Sequence, residues 1–281
     1  MDNSYLQAIR NITSRLKTVG IEGARTESEL ILSELANCSL TELFQYYNEE
    51  MPQSISDSLE NIVQRREKHE PLQYILGHAY FMNLDLLVTP KVLIPRPETE
   101  LLVAWLCKNV PHGAKVLDLG TGSGAIALAL AFERKDLKIN GVDFSKDALR
   151  VAESNRIKYK LNNVTFSQSN LFSNLENQIF DCIAANLPYV SETEYCTLMP
   201  EVKNFEPKIA LTAPEEGLQL IYECIKKAAE HLTSGGIIIF EMGISQAQNI
   251  HDALKSTEKF RNIEVIQDYS RRGRFVIAKR I

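Results

Sequence analysis

The chain is predicted to be an α/β protein, a mostly parallel, doubly wound sheet that ends in one antiparallel hairpin and follows a small N-terminal helical bundle. Three observations predict it. From Glu98 onward, short apolar strands alternate with amphipathic helical stretches, the pattern of a parallel sheet covered on both faces. Up to residue 70 the apolar residues recur at helical spacing with no strand between them. At the end, "NIEVIQDYSRRGRFVIAKR" holds two strands joined by a short turn with no helix between them, so they must pair antiparallel.

In chain order, Leu6, Ile9, Ile12 and Leu16, then Leu59, Ile62 and Val63, mark helix faces. Thr26 with Glu29 and Ser39 with Glu42 fit the capping box, which satisfies free N–H groups at a helix start. Residues 1–70 are read as the bundle. "YFMNLDLLV" alternates around Asn83 as a hairpin does, and "TPKVLIPRPETE" is too rich in proline to be helical before Pro97, so residues 71–95 are read as a hairpin connector. Strands are expected at Lys115–Leu119, Lys138–Asp143, Val164–Gln168, Phe180–Ala185 and Ile237–Glu241, within a sheet domain over residues 96–281. Ligands of such a sheet sit at the carboxyl ends of its strands.

Composition narrows the function. A chain of 281 residues with 44% hydrophobic content has room for one large core and one small one. No apolar run approaches the roughly 18 residues of a membrane span, and "MDNSYLQAIRN" lacks the apolar centre of a signal peptide, so a cytoplasmic protein is expected. Cys38, Cys107, Cys182, Cys196 and Cys224 are scattered without metal-ligand spacing; no metal is expected. Residues 1–70 carry 12 acidic and 7 basic side chains, and residues 71–281 carry 24 of each. Neither part has the basic excess of a stable nucleic acid binder.

The chemistry gathers at two strand ends. In "VLDLGTGSGAIALALA", Gly120, Gly122 and Gly124 allow a sharp turn and a close ligand approach before a helix N-terminus. The missing Gly-Lys-Ser/Thr ending argues against a phosphate loop, while a dinucleotide site and a purely structural turn remain open. Asp143, 23 residues beyond Gly120, fits the ribose-binding acid of any adenosine-containing cofactor. In "FDCIAANLPYV" a buried strand runs into Asn186, Leu187, Pro188 and Tyr189. The Asn186 side-chain oxygen and the Leu187 carbonyl, its residue held extended by Pro188, form a pair of acceptors suited to the two protons of an –NH2 group on a planar amide or amino-aromatic. An Asx-Pro turn that merely caps the strand is the other reading of this segment. Glu241 either meets substrate or bonds backbone, and Arg271, Arg272 and Arg274 are read as a solvated turn.

"DLGTGSG", "VDFSKDAL" and "NLPYV" together resemble class I methyltransferases dependent on S-adenosylmethionine, with their Rossmann-like sheet. "PLQYILG", "LIPRPETE", "EPKIAL", "GLQLIYECI" and "DYSRRGRFV" further resemble the peptide chain release factor glutamine methyltransferases, the PrmC/HemK family, over nearly the whole chain. The resemblance implies methyl transfer from S-adenosylmethionine, leaving S-adenosylhomocysteine, to the side-chain amide nitrogen of the glutamine in the Gly-Gly-Gln motif of release factors. It implies that Gly120, Thr121, Gly122, Ser123 and Gly124 hold the methionine end of the cofactor, Asp143 its ribose, and Asn170 and Leu171 its adenine. Asn186, Leu187, Pro188 and Tyr189 would form the substrate-amide site, with Asn186 also beside the cofactor, and Arg96–Glu100 would lie near the methionine end. The bundle would bind the release factor, and the enzyme is expected to be a monomer.

Two departures stand out. Leu187 replaces the family's first proline but keeps the needed backbone carbonyl. Asn170 replaces an acid and still offers an acceptor, so weaker cofactor affinity is expected. The same Asn-x-Pro-Tyr site would serve an adenine methyltransferase acting on an extruded base, which should bring a basic face. A silent cofactor-binding module is a further alternative, motivated by the two departures.

Overall fold

The computed structural model describes residues 4–281, which fall into two compact units. One ends at Gly77 and takes in Pro200–Phe205; the other comprises His78–Met199 and Glu206–Ile281.

The helical unit contains α1 (Tyr5–Thr18), α2 (Ala24–Leu35), α3 (Leu40–Tyr46), α4 (Gln53–Glu67) and α5 (Leu72–Leu76). The 3.6-residue period puts Tyr5, Ile9, Ile12 and Leu16 of α1 in its core, with Leu6 at the margin. The Ser39–Glu42 capping box opens α3 as expected. The Thr26–Glu29 box does not form. Gly23 takes the N-cap position, so Thr26 already lies inside α2, and Glu29 accepts from Arg25 Nε at 2.9 Å and Tyr47 Oη at 3.0 Å. Arg66 of α4 is buried, held by Glu27 at 2.6 Å and by Glu201 at 2.5 Å. That pair of ion bonds carries Pro200–Phe205 on the helical unit, since a buried guanidinium left unpaired is strongly destabilising.

The second unit opens with an antiparallel hairpin, β1 (His78–Phe81) and β2 (Leu84–Leu87), turning at Met82 and Asn83. It continues through α6 (Pro97–Asn109), β3 (Lys115–Leu119), α7 (Ala125–Glu133), β4 (Lys138–Asp143), α8 (Lys146–Lys158), β5 (Val164–Gln168), β6 (Phe180–Ala185) and α9 (Glu192–Thr197). After α10 (Pro200–Phe205) come α11 (Gln219–Ala228), β7 (Leu232–Glu241), α12 (Ala247–Ser256), β8 (Phe260–Gln267) and β9 (Gly273–Arg280).

The sheet order is β5-β4-β3-β6-β7-β9-β8, parallel from β5 to β7, with β9 antiparallel to both of its neighbours. The four expected strands from Lys115 to Ala185 have the bounds read from the sequence. β7 starts earlier, at Leu232, because Leu232 pairs with Phe180 and an irregularity then absorbs the intervening residues before Ile237 pairs with Cys182. Side chains alternate between two cores: Val116, Cys182, Ala184 and Ile239 pack with α6 and α7, while Leu117, Ile183, Ala185 and Phe240 pack with α11 and α12. Burial on both faces is why these strands are almost continuously apolar. The chain steps from β3 outward to β5, then returns to place β6 on the other side of β3. A crevice opens at that reversal of strand order, at the carboxyl ends of β3 and β6.

Candidate functional site

The glycine loop leaves β3 into this crevice, and the Asn186 segment leaves β6 beside it. A cavity of about 330 Å³ lies there, within the roughly 300–1,000 Å³ of small-molecule sites. Of the residues expected from the sequence, Gly120, Thr121, Gly122, Ser123, Asp143, Asn170, Leu171, Asn186, Leu187 and Pro188 line it, as do Arg96 and Thr99 of the Arg96–Glu100 segment. Gly124 and Tyr189 do not. Gly124 ends the loop and starts α7, with Leu128 and Phe166 behind it; Tyr189 turns its hydroxyl toward Glu241 Oε1, 3.4 Å away.

The loop is shaped by its neighbours. Gly120 has φ +73°, and a Cβ there would stand 3.2 Å from Leu187 Cδ2 and 3.4 Å from the Asn186 carbonyl. Glycine is therefore required where the two strand ends meet. Leu187 is 4% exposed and packs its side chain over this position, an anchorage that supplements the restraint from Pro188.

Asp143 ties the cavity wall together. Its Oδ2 accepts from Gly122 N at 2.9 Å and its Oδ1 from Ser145 N at 2.8 Å. Each oxygen keeps a lone pair for a ribose hydroxyl, and burial pushes its pKa above the usual range for aspartate. Leu171 holds the left-handed region at φ 49°, secured by Ser169 Oγ, which donates to its carbonyl at 2.7 Å. The side chain of Asn170 is exposed at the cavity edge, and its backbone N–H donates to Ser173 Oγ at 3.1 Å. A carboxylate for two hydroxyls, an apolar shelf and a glycine cradle suit S-adenosylmethionine.

A buried polar cluster lies behind Asn186. Asn186 Nδ2 donates to Thr99 Oγ1 at 3.3 Å, and Thr99 Oγ1 donates to Glu241 Oε2 at 2.7 Å. Glu241, 1% exposed, thus bonds side chains and, among the described residues, none of the backbone expected from the sequence. Burial pushes its pKa up; Thr99, Arg274 and Tyr189 act against that shift, and Glu98 adds to it. Arg271 and Arg272 are exposed in the hairpin turn, but the Arg274 side chain is only 14% exposed. Arg274 lies within β9 with Nη2 3.7 Å from Asp268 Oδ2, so the solvated-turn reading fails for this one arginine.

Two other motifs acquire a physical role. Glu206 of "EPKIAL" accepts from Arg96 Nη2 at 2.6 Å and from Ile94 N at 3.3 Å, which fixes the "LIPRPETE" segment along the cavity. Gln246 Nε2 donates to the Tyr189 carbonyl at 2.8 Å and to the Glu216 carbonyl at 3.0 Å. Thr99 and Gln246 had no signal in the sequence beyond Thr99's place in that segment.

This sheet, with its glycine loop, acidic second strand and Asn-x-Pro-Tyr crevice, defines an S-adenosylmethionine-dependent methyltransferase of class I. Residues 7–77 match the family described as PrmC N-terminal domain, and residues 111–271 match a methyltransferase domain. The chain is 37% identical over 270 residues to the release factor glutamine methyltransferase of Fusobacterium nucleatum, covering 94% of this chain and 76% of that one. It is 37% identical over 279 residues to the protein of the same name from Coxiella burnetii, covering 99% of each. A methyltransferase from Pyrococcus furiosus shares the fold at TM-score 0.55 and 18% identity, over 70% of this chain and 89% of that one. The chain belongs to the release factor glutamine methyltransferase family.

Proposed function

We propose that the protein methylates the side-chain amide nitrogen of the glutamine in the Gly-Gly-Gln motif of peptide chain release factors, with S-adenosylhomocysteine as the second product. The observation that carries this reading is the paired acceptor at the cavity. Asn186 gives its Nδ2 to Thr99, while its Oδ1 and the Leu187 carbonyl take no hydrogen bond from the described residues. Gly120–Gly124, Asp143, Asn170, Leu171 and Asn186 would hold the cofactor, which when bound supplies an electrophilic methyl group.

An amide nitrogen is a weak nucleophile because its lone pair is shared with the carbonyl. Asn186 Oδ1 and the Leu187 carbonyl accept its two protons, raise electron density on nitrogen and favour its pyramidalisation. These bonds strengthen as positive charge develops on nitrogen, which is the condition for catalysis. Holding the amide in one orientation lowers the barrier further. No base is needed before attack, since the alkylated nitrogen is acidic and releases its proton to water. Tyr189, anchored through its carbonyl and hydroxyl, supports the segment from behind the cavity wall. The acidic bundle would recognise the release factor, and the enzyme would act as a cytoplasmic monomer.

The test is transfer from labelled S-adenosylmethionine to a purified release factor, read by peptide mass, with the glutamine intact or changed to Ala. A methyl on that glutamine, and a rate about 100-fold lower for Asn186→Ala, is expected. Cofactor binding with no transfer to the glutamine would defeat the proposal.

A further inference from the structure

Asn186 serves a substrate N–H only if its oxygen, and not its NH2, faces the cavity. An asparagine amide is nearly symmetric in shape, so packing alone does not choose between the two orientations. The choice is made at the cavity wall, which Thr99 lines beside Asn186. Glu241 accepts at both oxygens, from Thr99 Oγ1 at 2.7 Å and from the Tyr189 hydroxyl at 3.4 Å. In its ionised form Glu241 has no proton to give, so the single proton of Thr99 is then committed to it. Only lone pairs of Thr99 Oγ1 then remain for Asn186. They accept an N–H and repel a carbonyl oxygen, which places Nδ2 against Thr99 at 3.3 Å and leaves Oδ1 for the cavity.

We propose that Thr99, its proton committed to Glu241, is the positioning residue that orients the Asn186 amide and so makes the site select a nitrogen bearing N–H over an acceptor group. This rests on the glutamine reading above. The three residues come from the first turn of α6, the end of β6 and the end of β7, and they meet only because the crevice gathers those ends. Thr99 lines the cavity, but its hydroxyl is engaged by Asn186 and Glu241, so it acts on the substrate through the Asn186 amide as a positioning residue.

The test uses the full chain with Thr99→Val, which keeps the shape and removes the relay, and Thr99→Ser, which keeps the hydroxyl. Rates are measured against release factor concentration. Affinity for S-adenosylmethionine is measured separately by calorimetry, and affinity for release factor in the presence of S-adenosylhomocysteine. Thr99→Val is expected to lose about 10- to 100-fold in kcat/KM and to bind release factor more weakly. Its affinity for S-adenosylmethionine, whose cavity Thr99 and Asn186 both line, should fall by far less than kcat/KM does, and Thr99→Ser should recover to within about threefold of the parent rate. A Thr99→Val enzyme as fast as the parent would overturn the inference. So would a parallel loss of cofactor affinity, or a serine variant no better than valine. Failure of the glutamine reading itself would show earlier and differently, as an unmodified glutamine with the unaltered protein.

Discussion

Asn155 Nδ2 donates to the Ser123 carbonyl at 3.0 Å, which ties helix α8 to the cofactor loop. The same side chain clasps β2, giving to the Leu87 carbonyl at 3.1 Å and accepting from Leu87 N at 2.7 Å. Asn155 is fully buried, so these bonds have no water to replace them. Asn155→Ala leaves three backbone groups without their partner and is expected to cost about 2–3 kcal/mol by urea denaturation. Affinity for S-adenosylmethionine should fall with it, because Ser123 lines the cavity. Calorimetry showing parent-like affinity would mean that the loop is held by its glycine turns alone.

The Glu241 relay predicts an acid limb in the rate profile. Burial raises the Glu241 pKa, with Arg274, Thr99 and Tyr189 acting against the shift and Glu98 adding to it. Once protonated, Glu241 can donate to Thr99, which frees the Thr99 proton to hold Asn186 Oδ1 and turns the NH2 toward the substrate. Activity should therefore decline as pH falls, beginning above the ordinary carboxylate range of about 4. The limb should flatten in Glu241→Gln, whose side chain does not titrate. An unchanged limb in that variant would assign the titration to another group.

Asp118 predicts a second pH effect, on stability. It is fully buried near the end of β3, with Thr121 Oγ1 at 2.6 Å and Ala127 N at 3.2 Å on Oδ2, and no partner for Oδ1 among the described residues. Burial pushes its pKa up to about 7, against those hydrogen bonds and assisted by the charge of Asp143. In the unfolded chain it titrates near 4. Between about pH 4 and 7 the folded state therefore keeps a proton that the unfolded state has lost, and stability falls as pH rises. Asp118→Asn lacks this group, so the difference in stability between it and the parent should shift in the variant's favour across that window. Denaturation curves at pH 4.5 and 7.5 with no such shift would exclude the effect.

Gly217 carries the fourth prediction. Its φ is +83°, and a Cβ would fall on the Tyr189 carbonyl, where Gln246 already donates. Gly217→Ala must adopt a left-handed conformation and displace the segment that carries Asn186. A loss of about 2–3 kcal/mol in stability is expected, with slower methyl transfer. A variant with parent stability and rate would show that the Tyr189 segment yields freely.

Much of this protein was legible along the chain. β6 is a largely apolar run followed by Asn186, and β4 ends in Asp143; in a doubly wound sheet such ends mark the crevice. Gly120, Gly122, Asp143 and Asn186–Pro188 could be named for that reason, whereas Thr121, Ser123, Asn170 and Leu171 were named by the family resemblance. The Ser39–Glu42 box was readable because its partners lie three residues apart. Thr26–Glu29 has the same spacing, but spacing does not locate the first helical residue, and Gly23 moved the helix start upstream.

Only the tertiary structure decided which side chains meet one another at the site. Thr99 and Glu241 lie 142 residues apart, and Asn155 and Ser123 lie 32 apart. Threonine, glutamate and asparagine carry no local pattern that foretells such meetings. The Thr99–Glu241 and Tyr189–Glu241 meetings depend on the strand order that sets β6 and β7 side by side next to β3. The sequence by itself determined the elements and the chemistry at their ends, because periodicity and turn residues act over a few positions. The orientation of Asn186 belongs to the fold, because it depends on a proton shared among residues that only the closed sheet brings together.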